Sequence, residues 1–142
     1  LWDGACHVHD TLKVEQLVEI KKSHPKAKVI AHPECKQLIL EFADFIGSTT
    51  ALLNYVKNAN NKTFIVATET GILHAMRKEA PGKSFIILGN EKTCECNDCE
   101  YMKLNTLEKI YDCLSKEKNE ILLNKEVIEK AKKPILKMLA LS

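Results

Sequence analysis

Thr63-Phe64-Ile65-Val66-Ala67-Thr68-Glu69-Thr70-Gly71 decides how this chain folds. Phe64 to Ala67 is an unbroken apolar run, with no alternation of polar residues, which marks a strand covered on both faces. The polar residues that follow end on glycine, and a helix is predicted over 72–78. Such a strand calls for parallel neighbours with helices above and below. Other segments repeat the form. Lys28-Val29-Ile30-Ala31 runs into His32-Pro33-Glu34-Cys35, and Phe45-Ile46 runs into Gly47-Ser48-Thr49-Thr50. Ser84-Phe85-Ile86-Ile87-Leu88 leads towards a polar loop rich in cysteine.

Between these strands the pattern turns helical. Residues 12–24 carry Val14, Leu17, Val18 and Ile20 on one face, and Pro25 follows. Residues 36–43 carry Leu38, Ile39 and Phe42, and the Ser/Thr run before residue 51 reads as the cap of a helix over 51–58. Residues 1–10 read as loop. The expected fold is therefore α/β: a three-layer αβα domain with a short parallel sheet of about four strands, plus C-terminal helices. These are expected over 106–115 and 125–141, the second kinked or split at Pro134. The expected domains are 1–92 and 93–142.

In an open α/β sheet, ligands bind beyond the carboxyl ends of the strands. The polar clusters all fall there: His32 and Glu34, Ser48 and Thr49, Thr68 and Glu69, and the loop beyond the last strand. That loop, Thr93-Cys94-Glu95-Cys96-Asn97-Asp98-Cys99-Glu100-Tyr101-Met102, holds three of the six cysteines. Thiols this close on a polar loop suit metal binding or redox exchange. Taken alone, they point equally to structural zinc and to an iron–sulfur site. The other comparable group is Cys6-His7-Val8-His9, and the fold between the two is read as bringing Cys6 and Cys99 together.

Composition narrows the class. Lys and Arg total 21 against 19 Asp and Glu, a balance that gives no reason to expect nucleic acid or a membrane surface as partner. No apolar run approaches the ~20 residues of a spanning helix. The start, Leu1-Trp2-Asp3-Gly4, has neither the basic nor the apolar region of a signal peptide, and the expectation is a cytoplasmic protein of which this chain is a piece. Some groups read as ordinary structure. Cys35 and Cys113 are expected to be packed thiols. His24 and His74 are expected at the surface or in packing, and His7 in solvent. Ser48 and Thr49 have the common role of a helix cap open to them, and the less common one of receiving a carboxylate or phosphate.

Five short motifs in a fixed order carry a resemblance. Gly4-Ala5-Cys6-His7-Val8-His9, Ala31-His32-Pro33-Glu34, Gly47-Ser48-Thr49, Ala67-Thr68-Glu69-Thr70-Gly71-Ile72 and Cys99-Glu100-Tyr101-Met102-Lys103-Leu104-Asn105 together resemble the C-terminal part of quinolinate synthase, the A protein of bacterial NAD biosynthesis. The resemblance covers the whole chain. It implies the third of three similar α/β domains around a central site. It also implies a transferase that joins iminoaspartate to dihydroxyacetone phosphate and dehydrates the product to quinolinate.

By position, Cys6 and Cys99 match two of three cysteine ligands of a four-iron four-sulfur (4Fe-4S) cluster, the remaining ligand lying upstream. His9, His32 and Glu34 match catalytic positions, and His32, Glu34, Ser48 and Thr49 match substrate-binding positions. The open iron of such a cluster is a Lewis acid, with Glu34 and His9 or His32 moving protons beside it. The chain alone is expected to fold without being a working enzyme. Two rival readings need no catalysis of this kind: an α/β module held by zinc on Cys94, Cys96, Cys99 and Cys6 or a histidine, and a thiol redox protein using Cys96 and Cys99.

Overall fold

The computed structural model describes residues 4–89 and 97–141. In chain order these form α1 (His7–Asp10), α2 (Val14–Ser23), β1 (Lys28–Ala31), α3 (Gln37–Glu41), β2 (Phe45–Ile46), α4 (Thr49–Asn58), β3 (Thr63–Ala67), α5 (Ile72–Glu79), β4 (Ser84–Ile87), α6 (Glu100–Lys103), α7 (Leu107–Lys116) and α8 (Lys125–Leu139). The chain divides into two compact units, Leu1–Lys103 and Leu104–Ser142. The boundary expected between residues 92 and 93 lies outside the described residues.

The first unit is a four-stranded sheet in the order β2-β1-β3-β4, parallel at every pairing. Ile30 pairs with Val66 and Ala31 with Ala67, so β1 and β3 end level with one another. The chain steps from β1 outward to β2, then returns past β1 to β3 and moves on to β4. The order thus reverses between β1 and β3, the switch point at which doubly wound sheets open a crevice for ligands.

Alternation along the strands builds two separate cores. Val29, Ala31, Ile65 and Ala67 face α2 and α3, where Leu17 and Ile39 close over them together with Cys35 from the turn before α3. Ile30, Phe64 and Val66 face α4 and α5, where Leu52, Val56, Leu73 and Met76 close over them. Phe64, Ile65 and Val66 are each completely buried, at about 1.5–3 kcal/mol of apolar transfer per side chain. This is the three-layer αβα arrangement expected from the unbroken apolar strands.

Several local expectations are corrected. Residues 7–10 form a helical turn rather than loop, closed by the Asp10 amide donating to the Cys6 carbonyl at 2.9 Å. It brings Val8 and His9 into the interior. The helix after β2 starts at Thr49, with Ser48 as its cap. Helix α8 contains Pro134 and is not split there. The residues around Pro134, 129–140, are all exposed. Cys113 is exposed and not packed, because α7 buries none of its residues. Cys35 is buried as expected, and His7, His24 and His74 are exposed. No helix among the described residues is long and apolar enough to cross a membrane.

Candidate active site

The carboxyl ends of the strands sit side by side. The His32 amide donates to the Ala67 carbonyl at 3.1 Å, and the Gly47 amide to the Ala31 carbonyl at 3.1 Å. The loops that carry Ser48, His32 and Thr68 therefore leave the sheet next to one another. Turn α1 is tied through His9 to the loops that follow β1 and β3.

His9 is the centre of this rim. It is buried, and each ring nitrogen has a partner from a different segment. Nδ1 lies 3.2 Å from Glu34 Oε2, and Nε2 lies 3.0 Å from Thr68 Oγ1. With Glu34 ionised, Nδ1 donates to the carboxylate and Nε2 accepts from the threonine hydroxyl. The His9 ring also stacks on that of His32, with centroids 4.5 Å apart and planes within 6°. Burial lowers the His9 pKa and the neighbouring His32 adds to this, while Glu34 and Glu69 pull the other way without restoring it. The imidazole is thereby kept neutral, able to accept or donate a proton.

The His32-Pro33-Glu34 turn places its own groups close together. The Glu34 amide donates to His32 Nδ1 at 3.3 Å, and Glu34 Oε2 lies 4.0 Å from the same nitrogen. The Glu34 side chain is 57% exposed, so it reaches from the buried His9 towards solvent. Cys6 joins them: ligand atoms of Cys6, His9 and Glu34 all lie within 4.8 Å of one another. Cys35, one residue past Glu34, points away into the core and its thiol donates to the Ala67 carbonyl at 3.3 Å. Burial, helped by the nearby Cys6 and Glu34, pushes its pKa up to about 11, so it stays a thiol.

Ser48 and Thr49 lie exposed at the start of α4, beyond β2. Ser48 Oγ accepts from the Ala51 amide at 3.3 Å, the ordinary capping bond. Among the described residues neither side chain bonds to the group around His9. Cys99 stands half-buried just before α6, outside the cluster formed by Cys6, His9 and Glu34. Its approach to the sheet is fixed by Asn97, which is buried, donates from Nδ2 to the Leu88 carbonyl and accepts from the Thr70 amide at 3.3 Å. Cys94 and Cys96 lie outside the described residues, and with them two of the four ligands of the zinc set and one member of the redox pair expected for that loop.

Two contributors escaped the sequence reading as site residues. Thr68 lay on the expected rim, but no pattern announced that its hydroxyl meets His9. Asn97 sat unremarked among the cysteines. Glu69, also on the rim, accepts from the Gly71 amide through Oε2 at 2.7 Å, while its Oε1 is buried without a partner among the described residues.

The family model described as quinolinate synthetase A protein matches residues 1–140. The chain is 52% identical over all 142 residues to a protein named quinolinate synthase from Synechocystis sp., of which it covers 45%. It is 51% identical to the quinolinate synthase of Microcystis aeruginosa, covering 44% of that protein, and 46% identical to that of Chloroherpeton thalassium, again covering 44%. The chain thus spans less than half the length of these relatives. The match extends over practically every residue of it, and the chain belongs to the quinolinate synthetase A protein family.

Proposed function

We propose that this chain supplies the C-terminal portion of a cytoplasmic quinolinate synthase that condenses iminoaspartate with dihydroxyacetone phosphate and dehydrates the product to quinolinate. The observation that carries the reading is the His9–Glu34 pair beside Cys6 at the switch point between β1 and β3. Elimination of water needs one group to take a proton and another to give one, and a neutral buried imidazole bonded to an exposed carboxylate is suited to both. Glu34 is the group positioned to exchange protons with a substrate. His9 holds its carboxylate, and Thr68 fixes the His9 ring from the other side. His32, stacked on His9, forms the wall of the site and offers its remaining ring nitrogen to a substrate carboxylate or hydroxyl. Ser48, Thr49 and the free amides at the start of α4 suit a carboxylate or phosphate.

The thiols fit the cluster that this reading requires. Cys6 and Cys99 are free thiols, each half-buried; Cys6 stands beside His9 and Glu34, and Cys99 follows Asn97, which bonds to the Leu88 carbonyl just past β4. They would hold two positions of a 4Fe-4S cluster, with a third cysteine from the part of the enzyme that precedes this chain. A cluster so held supplies Lewis-acid polarisation of a substrate oxygen at its open iron. The apolar side chains that α8 leaves exposed, Val127, Ile135 and Met138, are suited to cover by that remaining part.

The test uses the full-length protein that contains this segment. Anaerobic purification should yield iron, sulfide and quinolinate formation. Cys6→Ser and Cys99→Ser should each lose the cluster, while Cys113→Ser should keep it. Residues 1–142 alone should fold without turnover. Full iron content in Cys6→Ser or Cys99→Ser would remove the ligand assignment, and turnover by residues 1–142 alone would remove the shared site.

A further inference from the structure

We infer that Cys6, His9 and Glu34 form a binding site for a single zinc-type divalent cation, built entirely within this chain. The three donors, one thiol, one imidazole and one carboxylate, are each of a type that binds zinc, and three protein ligands leave a fourth position open. Their ligand atoms already lie within 4.8 Å of one another, and His9 Nδ1 and Glu34 Oε2 are 3.2 Å apart. In a tetrahedral zinc site, bonds of ~2.0–2.3 Å put neighbouring ligand atoms about 3.3–3.7 Å apart. The nitrogen and oxygen are therefore at coordinating separation, and only a short shift of the half-exposed Cys6 is needed.

The site also has the outer support that metal-binding histidines use. His9 Nε2 is bonded to Thr68 Oγ1 at 3.0 Å, which leaves Nδ1 for the metal and fixes the ring plane. The stack against His32 fixes it from the side. Glu34 is more open than His9, its side chain being 57% exposed. Binding releases the Cys6 proton, and an open position remains for water or a ligand oxygen. No group from outside the chain is required, so the inference does not depend on the cluster. It has a consequence for it: one Cys6 thiolate cannot serve both metals, so zinc loading and cluster loading exclude each other.

The experiment uses residues 1–142 with Cys94 and Cys96 replaced by serine, reduced and metal-free. Zinc is titrated against a chromophoric chelator, and cobalt is added as a spectroscopic probe. Stoichiometric zinc binding is expected, with the thiolate-to-cobalt charge-transfer band and strong visible bands of tetrahedral cobalt. Cys6→Ser should abolish the charge-transfer band. Thr68→Ala should weaken zinc ~10–100-fold, the usual effect of losing an outer partner, and Glu34→Ala should weaken it further. Glu34 is on the surface, so its replacement decides the matter even if another variant misfolds. Absence of stoichiometric binding, affinity unchanged in Glu34→Ala, or a charge-transfer band that follows Cys99→Ser instead of Cys6→Ser would overturn the site.

Discussion

His9 Nδ1 and Glu34 Oε2 lie 3.2 Å apart although 25 residues separate them in the chain. The bond joins turn α1 to the end of β1 and couples a buried ring to an exposed carboxylate. Replacing Glu34 by glutamine keeps an acceptor for His9 and removes the proton carrier. In the full-length enzyme, Glu34→Gln should retain the iron and sulfide and lose ~10²-fold or more of quinolinate formation. Turnover near that of the parent would show that Glu34 moves no proton in the slow step.

Ser48 has a visible structural task, the 3.3 Å bond from the Ala51 amide. If capping were all it did, Ser48→Ala would cost about 1 kcal/mol of stability and leave product affinity alone. The anion-binding role adds a second effect. Ser48→Ala should weaken quinolinate binding, measured by calorimetry on the full-length protein, by more than its change in melting temperature accounts for. Ser48→Thr keeps the hydroxyl and should restore most of both. Unchanged product affinity in Ser48→Ala would leave only the cap.

The layers of this fold were legible because the central strands β1 and β3 are buried on both faces, and residues such as Ile65 and Val66 have no polar neighbour to suggest otherwise. The rim was legible for the same reason, since polar residues can follow such strands only at their ends. What the sequence hid is contact at a distance. Thr68 reads as one more loop threonine, and its bond to His9 arises only once Ala31 and Ala67 pair. The turn at residues 7–10 is too short to show a period, so its inward His9 looked like part of a loop. The exposed Cys113 misled because α7 has an apolar stripe, and that stripe finds no cover among the described residues.

Asp44 ties the start of β1, accepting from the Val29 amide at 2.8 Å and from Lys28 Nζ at 2.7 Å. Partial burial would raise its pKa, but the bonds from Lys28 and Val29 and the charges of Lys28 and Lys21 outweigh this and hold the carboxyl below its ordinary value. A carboxyl depressed in the folded state stabilises fully above its unfolded value of about 3.9, and that stability is lost as pH falls through the lower folded value. Asp44→Asn should therefore be less stable than the parent at neutral pH, and the difference should shrink on acidification. Denaturant melts at neutral and acid pH provide the check, and a gap independent of pH would mean that the Asp44 charge contributes nothing.

Gly89 and Asn97 hold the approach to Cys99 through a fit that only glycine allows. Gly89 has φ of +150°, a region side chains avoid, and a Cβ there would run into the Asn97 carboxamide. That carboxamide is buried and donates to the Leu88 carbonyl. Gly89→Ala should cost ~1–3 kcal/mol in backbone strain, plus whatever is needed to move Asn97 aside. Asn97→Ala should cost a similar amount, because it strips a buried carbonyl of its donor. The two changes touch the same contact, so they should not add: once the carboxamide is gone, the alanine methyl has room, and the double variant should lose less than the sum. Thermal melts of the four proteins measure the coupling, and strict additivity would show that the glycine matters for its backbone alone. In the full-length enzyme the same Gly89→Ala change should lower iron content, since it displaces the segment leading into Cys99, and normal iron in a destabilised variant would detach the clamp from the metal site.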